Sequence, residues 1–235
     1  IFVLNRNIIH IWHTTFKCHV EKYRLFRSWL STEEKARAEK LAAPYQLRFI
    51  ISRGLLRDLL AYYCEQSPKQ LHLTYTSSGK PLLISRTTKQ QIEFNLSHSK
   101  NMIVFAFTTN TPIGIDIEHK MPRKYLDQIA YRFFSAYDYQ QLQLLHGEEK
   151  LSAFFNIWVR NEASLKAFGH RLQTHPFSQY QSLIDDQLIA KKQIKSAHCQ
   201  VSTLSIYPDF AGAIAIKGKN KLIITKEYIE KMSLH

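Results

Sequence analysis

"PIGIDIEHK", residues 112–120, places two carboxylates at alternate positions in an otherwise apolar run. Alternate side chains of an extended strand share a face, so Asp116 and Glu118 point one way and Ile115 and Ile117 point the other. Two interpretations are open at this point. The carboxylates either lie in solvent at the end of a strand, or they lie at the edge of a core and hold a cation, as oxygen ligands hold Mg²⁺.

The spacing of apolar residues on either side of this strand predicts an order of strand, helices and strands that occurs twice. Further strands are expected at "NIIHIWHTTF" (7–16), "LHLTY" (71–75), "PLLI" (81–84), "IEFNL" (92–96), "MIVFAFTT" (102–109), "QSLID" (181–185), "CQVSTLSIY" (199–207) and "GAIAIKG" (212–218). Helices are expected at 20–30, 32–63 with a break near Pro44, 124–133, 137–145 and 148–168. Ser31 and Glu34 have the spacing of a capping box, which predicts a helix start at this point.

The two halves of the chain resemble each other. A Ser followed three residues later by an acid occurs in "STEE" (31–34) and in "SAYD" (135–138), each time before helices, and "RFIISRGLLRDLL" (48–60) and "FFNIWVRNEASLKAF" (154–168) fall at comparable places. We therefore predict an α+β protein of two similar halves, residues 1–111 and residues 112–235, that join near Asn110 and pack closely.

Composition limits the class of protein and its partners. The 235 residues are 45% hydrophobic, and 32 Lys and Arg face 19 Asp and Glu, for a net charge of +13. Such a charge attracts anions, whether nucleic acid, an acidic membrane, an acidic protein or a phosphorylated cofactor. Apolar stretches are far shorter than a membrane span, the start lacks the pattern of a signal peptide, and the three cysteines are scattered. We expect a cytoplasmic protein with reduced cysteines and no membrane partner.

The segment "FFNIWVRNEASLKAFG" (154–169) repeats functional side chains at helical spacing. Trp158, Glu162 and Lys166 recur every four residues and therefore lie on one stripe of a helix. An exposed Glu–Lys pair beside a core Trp is one interpretation. The other is that Glu162 supplies a third carboxylate to Asp116 and Glu118 for Mg²⁺, with Lys166 one turn further on to face the phosphates of a substrate.

Two shorter motifs lie upstream. "SSGKP" (77–81) is by itself a turn, and "FNLSHSKN" (94–101) ends a strand in Ser97, His98 and Ser99. By itself, His98 is better interpreted as a hydrogen-bonded residue at a strand end than as a catalytic base. The order "GKP", "FNLSHS", "GIDIE" and "WxxxExxxK" is far more specific than any of its parts.

In this order and spacing the sequence resembles the 4'-phosphopantetheinyl transferases, in particular the larger, pseudodimeric type that activates peptide synthetases and acyl carrier proteins. The resemblance extends from "LSTEEKARA" (30–38) through "RFFSAYDY" (132–139) to the Trp158 helix. It implies a pseudodimer that binds coenzyme A between its halves. It further implies transfer of the phosphopantetheine arm to a Ser of an acyl or peptidyl carrier protein, with release of 3',5'-ADP. A built-in pseudodimer needs no second copy, so we expect a monomer.

The resemblance also assigns roles to residues. It makes Asp116, Glu118 and Glu162 the Mg²⁺ ligands, places Lys80 and Pro81 near the adenine and phosphates, and places Ser97 and His98 near the 3'-phosphate. Arg37 and Arg48 are expected among the basic residues around the nucleotide. Asp116 and Lys166 contact the substrate as well, Lys166 as a fixed cation that stabilises the leaving phosphates. Glu162 is the candidate base for the Ser hydroxyl, directly or through a water.

Two positions depart from the family pattern. Asn161 stands where the family has a Lys before the third carboxylate, and Arg171 stands where it has a second Gly after "FG". Asn cannot supply charge, and Arg160 points about 100° away on an ideal helix. We therefore expect an active transferase that is slow or narrow in its choice of carrier, and we expect Asn161→Lys to raise its turnover.

Rival interpretations come from other classes of protein. A non-catalytic module would bind coenzyme A or a carrier protein but would have lost transfer through Asn161. Nucleic-acid binding is not expected, because Lys and Arg are spread along the chain without an aromatic–basic recognition motif. A metallohydrolase would fit three carboxylates, but clustered metal-binding His residues are missing. An acidic carrier protein is the partner that suits a basic surface.

Overall fold

The computed structural model describes residue 4 and residues 8–84, 91–170, 193–195, 199–217 and 222–227 of the chain. Its strands are β1 (Ile8–Thr15), β2 (His72–Tyr75), β3 (Pro81–Ile84), β4 (Ile92–Ser99), β5 (Met102–Thr109), β6 (Ile113–His119), β7 (Gln193–Lys195), β8 (Gln200–Leu204), β9 (Phe210–Ile216) and β10 (Leu222–Glu227). Its α-helices are α1 (Tyr23–Trp29), α2 (Thr32–Glu39), α3 (Ala43–Cys64), α4 (Leu126–Phe133), α5 (Ala136–Gln143) and α6 (Gly147–Phe168). Short 3₁₀ helices cover Phe16–Lys22 and Pro68–Gln70.

Local sequence explains where the helices begin and end. Ser31 accepts a hydrogen bond from the backbone of Glu34, and Glu34 accepts one from the backbone of Ser31, which completes the predicted capping box at the start of α2. Pro44 stands at the first turn of α3, where its missing N–H costs nothing. Helix α6 ends at Gly169, whose φ of 78° is the left-handed conformation that glycine adopts without strain.

The strands form two four-stranded sheets and one small hairpin. The first sheet has the order β10-β1-β5-β4, with β1 and β10 parallel and the other pairs antiparallel. The second sheet has the order β6-β9-β8-β7 and is antiparallel throughout. Strands β2 and β3 form the hairpin. The protein is thus a mixed α and β fold, in which the last described strand joins the first one in a sheet.

The core lies in three apolar layers that the alternation of strand residues creates. On β5, Ile103, Phe105 and Phe107 belong to a layer with residues of α1, α2 and α3. Met102 and Val104, on the other face of β5, belong to a layer with residues of β6 and β9. The third layer lies between α6 and the other face of β9. Each sheet therefore has helices on one side and the other sheet on its second side, so β5 is buried on both faces and reads as a continuous apolar run.

Most predicted elements lie where the sequence places them. The break near Pro44 separates α2 from α3, and the strand and helix patterns of residues 92–168 each correspond to an observed element within a few residues. The predicted strand at 199–207 is shorter, because β8 ends at Leu204 and a turn follows. The predicted strand at 181–185 lies outside the described residues. Strands β7 and β10 were not predicted.

Helix length and hydropathy also bear on membrane association. Among the described residues, no helix combines the length and the apolar character that crossing a bilayer requires.

Candidate active site

Strands β4 and β6 belong to different sheets and are joined by polar side chains. Asn95 accepts a hydrogen bond from the backbone N–H of Ile115 at 3.0 Å, and Ser97 donates one to Asp116 Oδ1 at 2.7 Å. Ser99 donates to Glu118 Oε2, also at 2.7 Å, and accepts one from the backbone of residue 119. These three residues of β4 alternate along the strand and therefore share a face. The "NLSHS" motif thus positions both carboxylates of the "GIDIE" motif.

Asp116 is a buried carboxylate with two different oxygens. Its Oδ1 accepts hydrogen bonds from Ser97 and from Lys166 Nζ, the latter at 2.6 Å. Its Oδ2 is buried and has no hydrogen-bond partner among the described residues. A buried carboxylate oxygen without a donor is costly unless a ligand completes it.

Glu118 lies nearer to solvent than Asp116, at the mouth of the same site. It accepts the hydrogen bond from Ser99 and lies 3.9 Å from Arg123 Nη2. Burial raises the pKa of the Glu118 carboxyl, an effect that the hydrogen bond from Ser99 opposes and the nearby charge of Asp116 adds to. The two carboxylates therefore repel each other, as expected of a site that binds a cation.

Helix α6 brings the third carboxylate to this strand. Trp158, Glu162 and Lys166 all face one cavity, which confirms that they share a stripe of the helix. The close approach depends on Gly114 of β6, because a Cβ at that position would overlap the carbonyl oxygen of Ala163 in α6. A glycine is required in this strand because the helix backbone occupies the space of a side chain.

The turn before β3 is fastened to α6 by Lys80. Its Nζ donates to the carbonyl oxygens of Ile113 at 2.8 Å and of Lys166 at 3.0 Å, so it caps the last turn of α6. Burial lowers the pKa of Lys80 to about 8, against the attraction of Glu93. A cation is favoured at the negative end of a helix, which compensates part of this burial.

These groups surround a cavity of about 490 Å³ between the two sheets and α6. Most of the side chains that the sequence singled out line this cavity, together with several that the sequence did not single out. From the predicted set it is lined by Lys80, Pro81, Ser97, His98, Asp116, Glu118, Glu162 and Lys166. Burial lowers the pKa of His98, and the nearby cations of Lys166 and Arg48 lower it further.

Arg37 and Arg48 are not among the residues that line this cavity. The guanidinium of Arg48 lies 5.5 Å from the ring centroid of Phe16, and that of Arg37 lies 5.4 Å from the ring centroid of Phe49. Both therefore stack on aromatic rings of the first half of the chain. Their assignment to the nucleotide stays a prediction.

Arg53 is a lining residue of the cavity that the sequence did not single out. It lies in the middle of α3, is 7% exposed, and its guanidinium stacks over Phe49 and Tyr75. In the sequence it looks like one of several Arg residues on a long helix. Asn95 and Ser99 were also missed, although their alternation with Ser97 on a strand was a usable signal.

Of the two positions that depart from the family pattern, the structure describes Asn161 but not Arg171. Asn161 is 3% exposed and is not among the lining residues of the cavity. Arg160 donates two hydrogen bonds to Thr203 Oγ1, at 3.2 and 2.7 Å, so it points to β8 and cannot replace a cation in the cavity. Arg171 lies outside the described residues.

A closed metal site is not preformed. The described part of the chain contains no group of three or more His, Cys, Asp or Glu side chains that could hold a metal ion by themselves. Asp116 Oδ1 accepts a hydrogen bond from Lys166, and Glu118 Oε2 accepts one from Ser99. Any cation here would have to be shared with a substrate that contributes further ligands.

The sequence is similar to family models and to known proteins that share one description. A family model described as "4'-phosphopantetheinyl transferase, N-terminal" matches residues 14–110, and one described as "4'-phosphopantetheinyl transferase superfamily" matches residues 112–215. The 4'-phosphopantetheinyl transferase HetI of a Nostoc species is 36% identical over 162 residues, which cover 68% of this chain and 68% of the relative. The chain belongs to the 4'-phosphopantetheinyl transferase superfamily.

Other relatives carry the same name. The 4'-phosphopantetheinyl transferase psf-1 of Bacillus pumilus is 31% identical and covers 76% of this chain and 78% of its own length. The 4'-phosphopantetheinyl transferase Sfp of Bacillus subtilis is 24% identical, and the match covers 83% of this chain and 85% of the relative. The protein is thus an enzyme of this superfamily, and the family recognised from its motifs is confirmed.

Proposed function

We propose that this superfamily member transfers the 4'-phosphopantetheine arm of coenzyme A to a serine of an acyl or peptidyl carrier protein and releases 3',5'-ADP. The observation that carries the proposal is that Asp116, Glu118, Glu162 and Lys166 line one cavity. Three carboxylates next to a fixed cation suit a reaction that moves a phosphoryl group away from a diphosphate.

The donor set fits Mg²⁺. Asp116 Oδ2 is buried and unpartnered among the described residues, and the raised pKa of Glu118 reflects burial beside a second carboxylate. Asp116, Glu118 and Glu162 would hold the ion, together with oxygens of the substrate. When bound, Mg²⁺ would neutralise charge on the diphosphate.

The protein's own residues would do the remaining work. Lys166 Nζ, already held by Asp116 Oδ1, would keep a positive charge beside the leaving phosphate. Glu162 would take the proton of the attacking serine hydroxyl, directly or through a water. His98, whose pKa is lowered by burial and by two neighbouring cations, would face the nucleotide together with Ser97, Lys80 and Pro81.

The pseudodimer belongs to this proposal too. Each four-stranded sheet packs on one long helix, α3 or α6, and each of these helices has 22 residues. We propose that the two halves are related modules, that coenzyme A binds between them, and that one chain suffices as a monomer. The boundary at residues 111 and 112 stays a prediction, with β10 reaching back to pair with β1.

The surface beside Glu118 suits an acidic carrier protein. After β6 the chain exposes Met121 and Tyr125, and Lys124 is exposed next to them. Arg123 lies between this surface and the cavity, 3.9 Å from Glu118 and over the ring of Trp158. Apolar side chains set among cations favour an amphipathic acidic partner, so the carrier serine would reach the cavity from this side.

The rival function is a module that binds coenzyme A without transfer, favoured by the buried Asn161 in place of a Lys. Chromatographic detection of 3',5'-ADP distinguishes the two. Incubation with coenzyme A, Mg²⁺ and an apo carrier protein is expected to yield 3',5'-ADP in proportion to the carrier added. A carrier whose acceptor serine is replaced by alanine is the control. Binding of coenzyme A without 3',5'-ADP from any of several carriers would favour the module.

A further inference from the structure

A second cavity, of about 380 Å³, lies beside the turn between β8 and β9. Ser152 and Asn156 line it from α6, whereas Trp158 of the same helix lines the candidate active site. Two residues correspond to a rotation of about 200° around an α-helix. The two cavities therefore lie on different flanks of α6, and none of the described residues assigned to the chemistry lines the second one.

The end of β6 links the two cavities. Glu118 lines the first cavity and Lys120, two residues later, lines the second. Two residues of a strand span about 7 Å, so the two cavities lie close together. The backbone N–H of Lys120 donates to the carbonyl oxygen of Asp209 at 2.8 Å, which ties this end of β6 to the turn beside the second cavity. A partner that covers both cavities has to bridge only the width of α6, about 10–12 Å.

One side of the second cavity is apolar and anchored in the core. Ile206, Tyr207 and Phe210 line it, and Ile206 and Phe210 also pack against the apolar layer between the two sheets. The rings of Tyr207 and Phe210 meet edge to face, with 6.5 Å between their centroids. Tyr207 is 40% exposed, so this wall faces the solvent. A firmly supported apolar wall of this kind suits an apolar side chain inserted by a partner protein.

The other side of the second cavity is polar and carries a cation. Asn156 and Thr203 line it, and Thr203 Oγ1 is held by two hydrogen bonds from Arg160. The charge of Arg160 is attracted by that of Asp138. Lys120 is the one charged side chain among the described residues that line the cavity. A cation without a carboxylate beside it in the cavity wall favours a partner that brings a negative charge.

Exposed apolar side chains and cations continue from this cavity toward the first one. Met121, which follows Lys120, is 52% exposed, and Tyr125 is 59% exposed. Arg123 lies between them in the sequence, and its guanidinium lies over the ring of Trp158. An exposed apolar surface set among polar and charged groups marks an interaction site. The segment after β6 therefore joins the second cavity to the surface beside Glu118.

We propose that the second cavity is a docking site for the acidic carrier protein and receives an apolar side chain of the carrier that has an acidic residue next to it. This inference rests on the proposed function, which supplies the carrier as partner. Charge complementarity selects this occupant, because the chain has a net charge of +13 and Lys120 stands in the cavity wall. A second copy of the chain carries the same charge and is repelled. Both cavities fit beneath one interface of standard size, about 800 Å² on each partner.

Steady-state kinetics with an apo acyl carrier protein and an apo peptidyl carrier protein test this docking site. Ser205 is an exposed residue of the cavity lining, so an indole introduced by Ser205→Trp fills the cavity. We expect the KM for the carrier to rise about tenfold, as when an interface anchor is lost. The kcat and the KM for coenzyme A are expected to stay unchanged. Leu25→Trp adds the same bulk at an exposed position of α1 and is expected to keep the wild-type KM.

A second variant tests the charge of the docking site. Lys120→Met keeps the bulk of the side chain and removes its charge. The KM for the carrier is expected to rise about threefold to fivefold at low salt, and the difference from the wild type is expected to disappear at about 0.5 M salt, where exposed charges are screened. Lys69→Met removes an equal charge from an exposed position of the first half and is expected to have no effect. A structural defect would not depend on salt in this way.

Each outcome has a distinct meaning. Tyr207→Ala removes an exposed wall of the cavity, is expected to raise the KM for the carrier, and decides the matter if Ser205→Trp does not fold. An unchanged KM for the carrier in the folded variants overturns the docking site, and so does an equal rise in the KM for coenzyme A. Light scattering that shows a wild-type dimer, dissociated by Ser205→Trp, overturns it in favour of a second copy. A wild-type protein that binds coenzyme A but modifies neither carrier contradicts the proposed function itself, and the docking site with it.

Discussion

Lys166 Nζ lies 2.6 Å from Asp116 Oδ1, while Asp116 Oδ2 is buried without a hydrogen-bond partner among the described residues. One oxygen of this carboxylate therefore fixes a cation of the protein, and the other is available to a ligand. Asp116 is the link between α6 and β6 on which the proposed chemistry depends.

Loss of the charge of Asp116 is expected to reduce transfer strongly with little effect on folding. Asp116→Asn keeps the size of the side chain but loses its attraction for Lys166 and for Mg²⁺. We expect the rate of carrier modification to fall about a hundredfold or more. The matched control is Asp127→Asn, which removes a carboxylate paired with Lys150 at 2.9 Å on the surface and should leave the rate unchanged. Equal rates for the two variants would refute the role of Asp116.

Glu34 is expected to be a main source of stability in the first half of the chain. Glu34→Ala leaves the buried Arg57 without its counter-ion, which costs about 3–5 kcal/mol in free energy of unfolding. Glu39→Ala, in the same helix α2, breaks an exposed pair in which the Glu39 side chain is 60% exposed. That change should cost less than about 1 kcal/mol. Denaturant unfolding of both variants measures the difference, and similar losses would contradict this account.

Gly114 is expected to control the distance between α6 and β6. In Gly114→Ala the new Cβ overlaps Ala163 O and lies 2.5 Å from Ala167 N, so the helix backbone must move. A shift of about 1 Å in the position of Lys166 and Glu162 can lower the transfer rate about a hundredfold. In Gly212→Ala the nearest atom is Leu204 O at 3.1 Å, so only a small adjustment follows. A Gly114→Ala enzyme as active as Gly212→Ala would show that the close approach does not matter.

Asn161→Lys is expected to raise turnover about tenfold, if one hydrogen-bonded charge is what the wild-type enzyme lacks. Because Asn161 is 3% exposed, the added length alone will also disturb packing. Asn161→Met, which has similar bulk without charge, separates the two effects in steady-state assays of kcat. A kcat for Asn161→Lys no higher than that of Asn161→Met argues that charge at this position is not limiting.

Much of the site could be predicted because it depends on short-range geometry. The alternation of Asp116 and Glu118 on a strand and the four-residue spacing of Glu162 and Lys166 on a helix follow from backbone periodicity alone. The structure brings these two pairs to one cavity, as the motif order indicates.

The missed features depend on contacts between distant parts of the chain. The pairing of β10 with β1 joins residues 8–13 to residues 222–227, and no local pattern specifies such a parallel neighbour. The role of Lys80 as a cap on α6 is equally non-local, since its acceptors are main-chain carbonyls whose position the sequence does not indicate. Arg53 was missed because its place in the cavity wall depends on contacts between α2, α3 and β2, where Glu34 accepts hydrogen bonds from Arg57 and Tyr75.

Intact-protein mass spectrometry of an apo carrier protein tests the central claim most directly. The carrier is incubated with coenzyme A, Mg²⁺ and either the wild-type protein or Glu162→Ala. The account predicts a mass gain of one phosphopantetheine arm with the wild-type protein, and none when Glu162 or the acceptor serine is replaced. No mass gain with any of several carriers, despite measurable binding of coenzyme A, would contradict it.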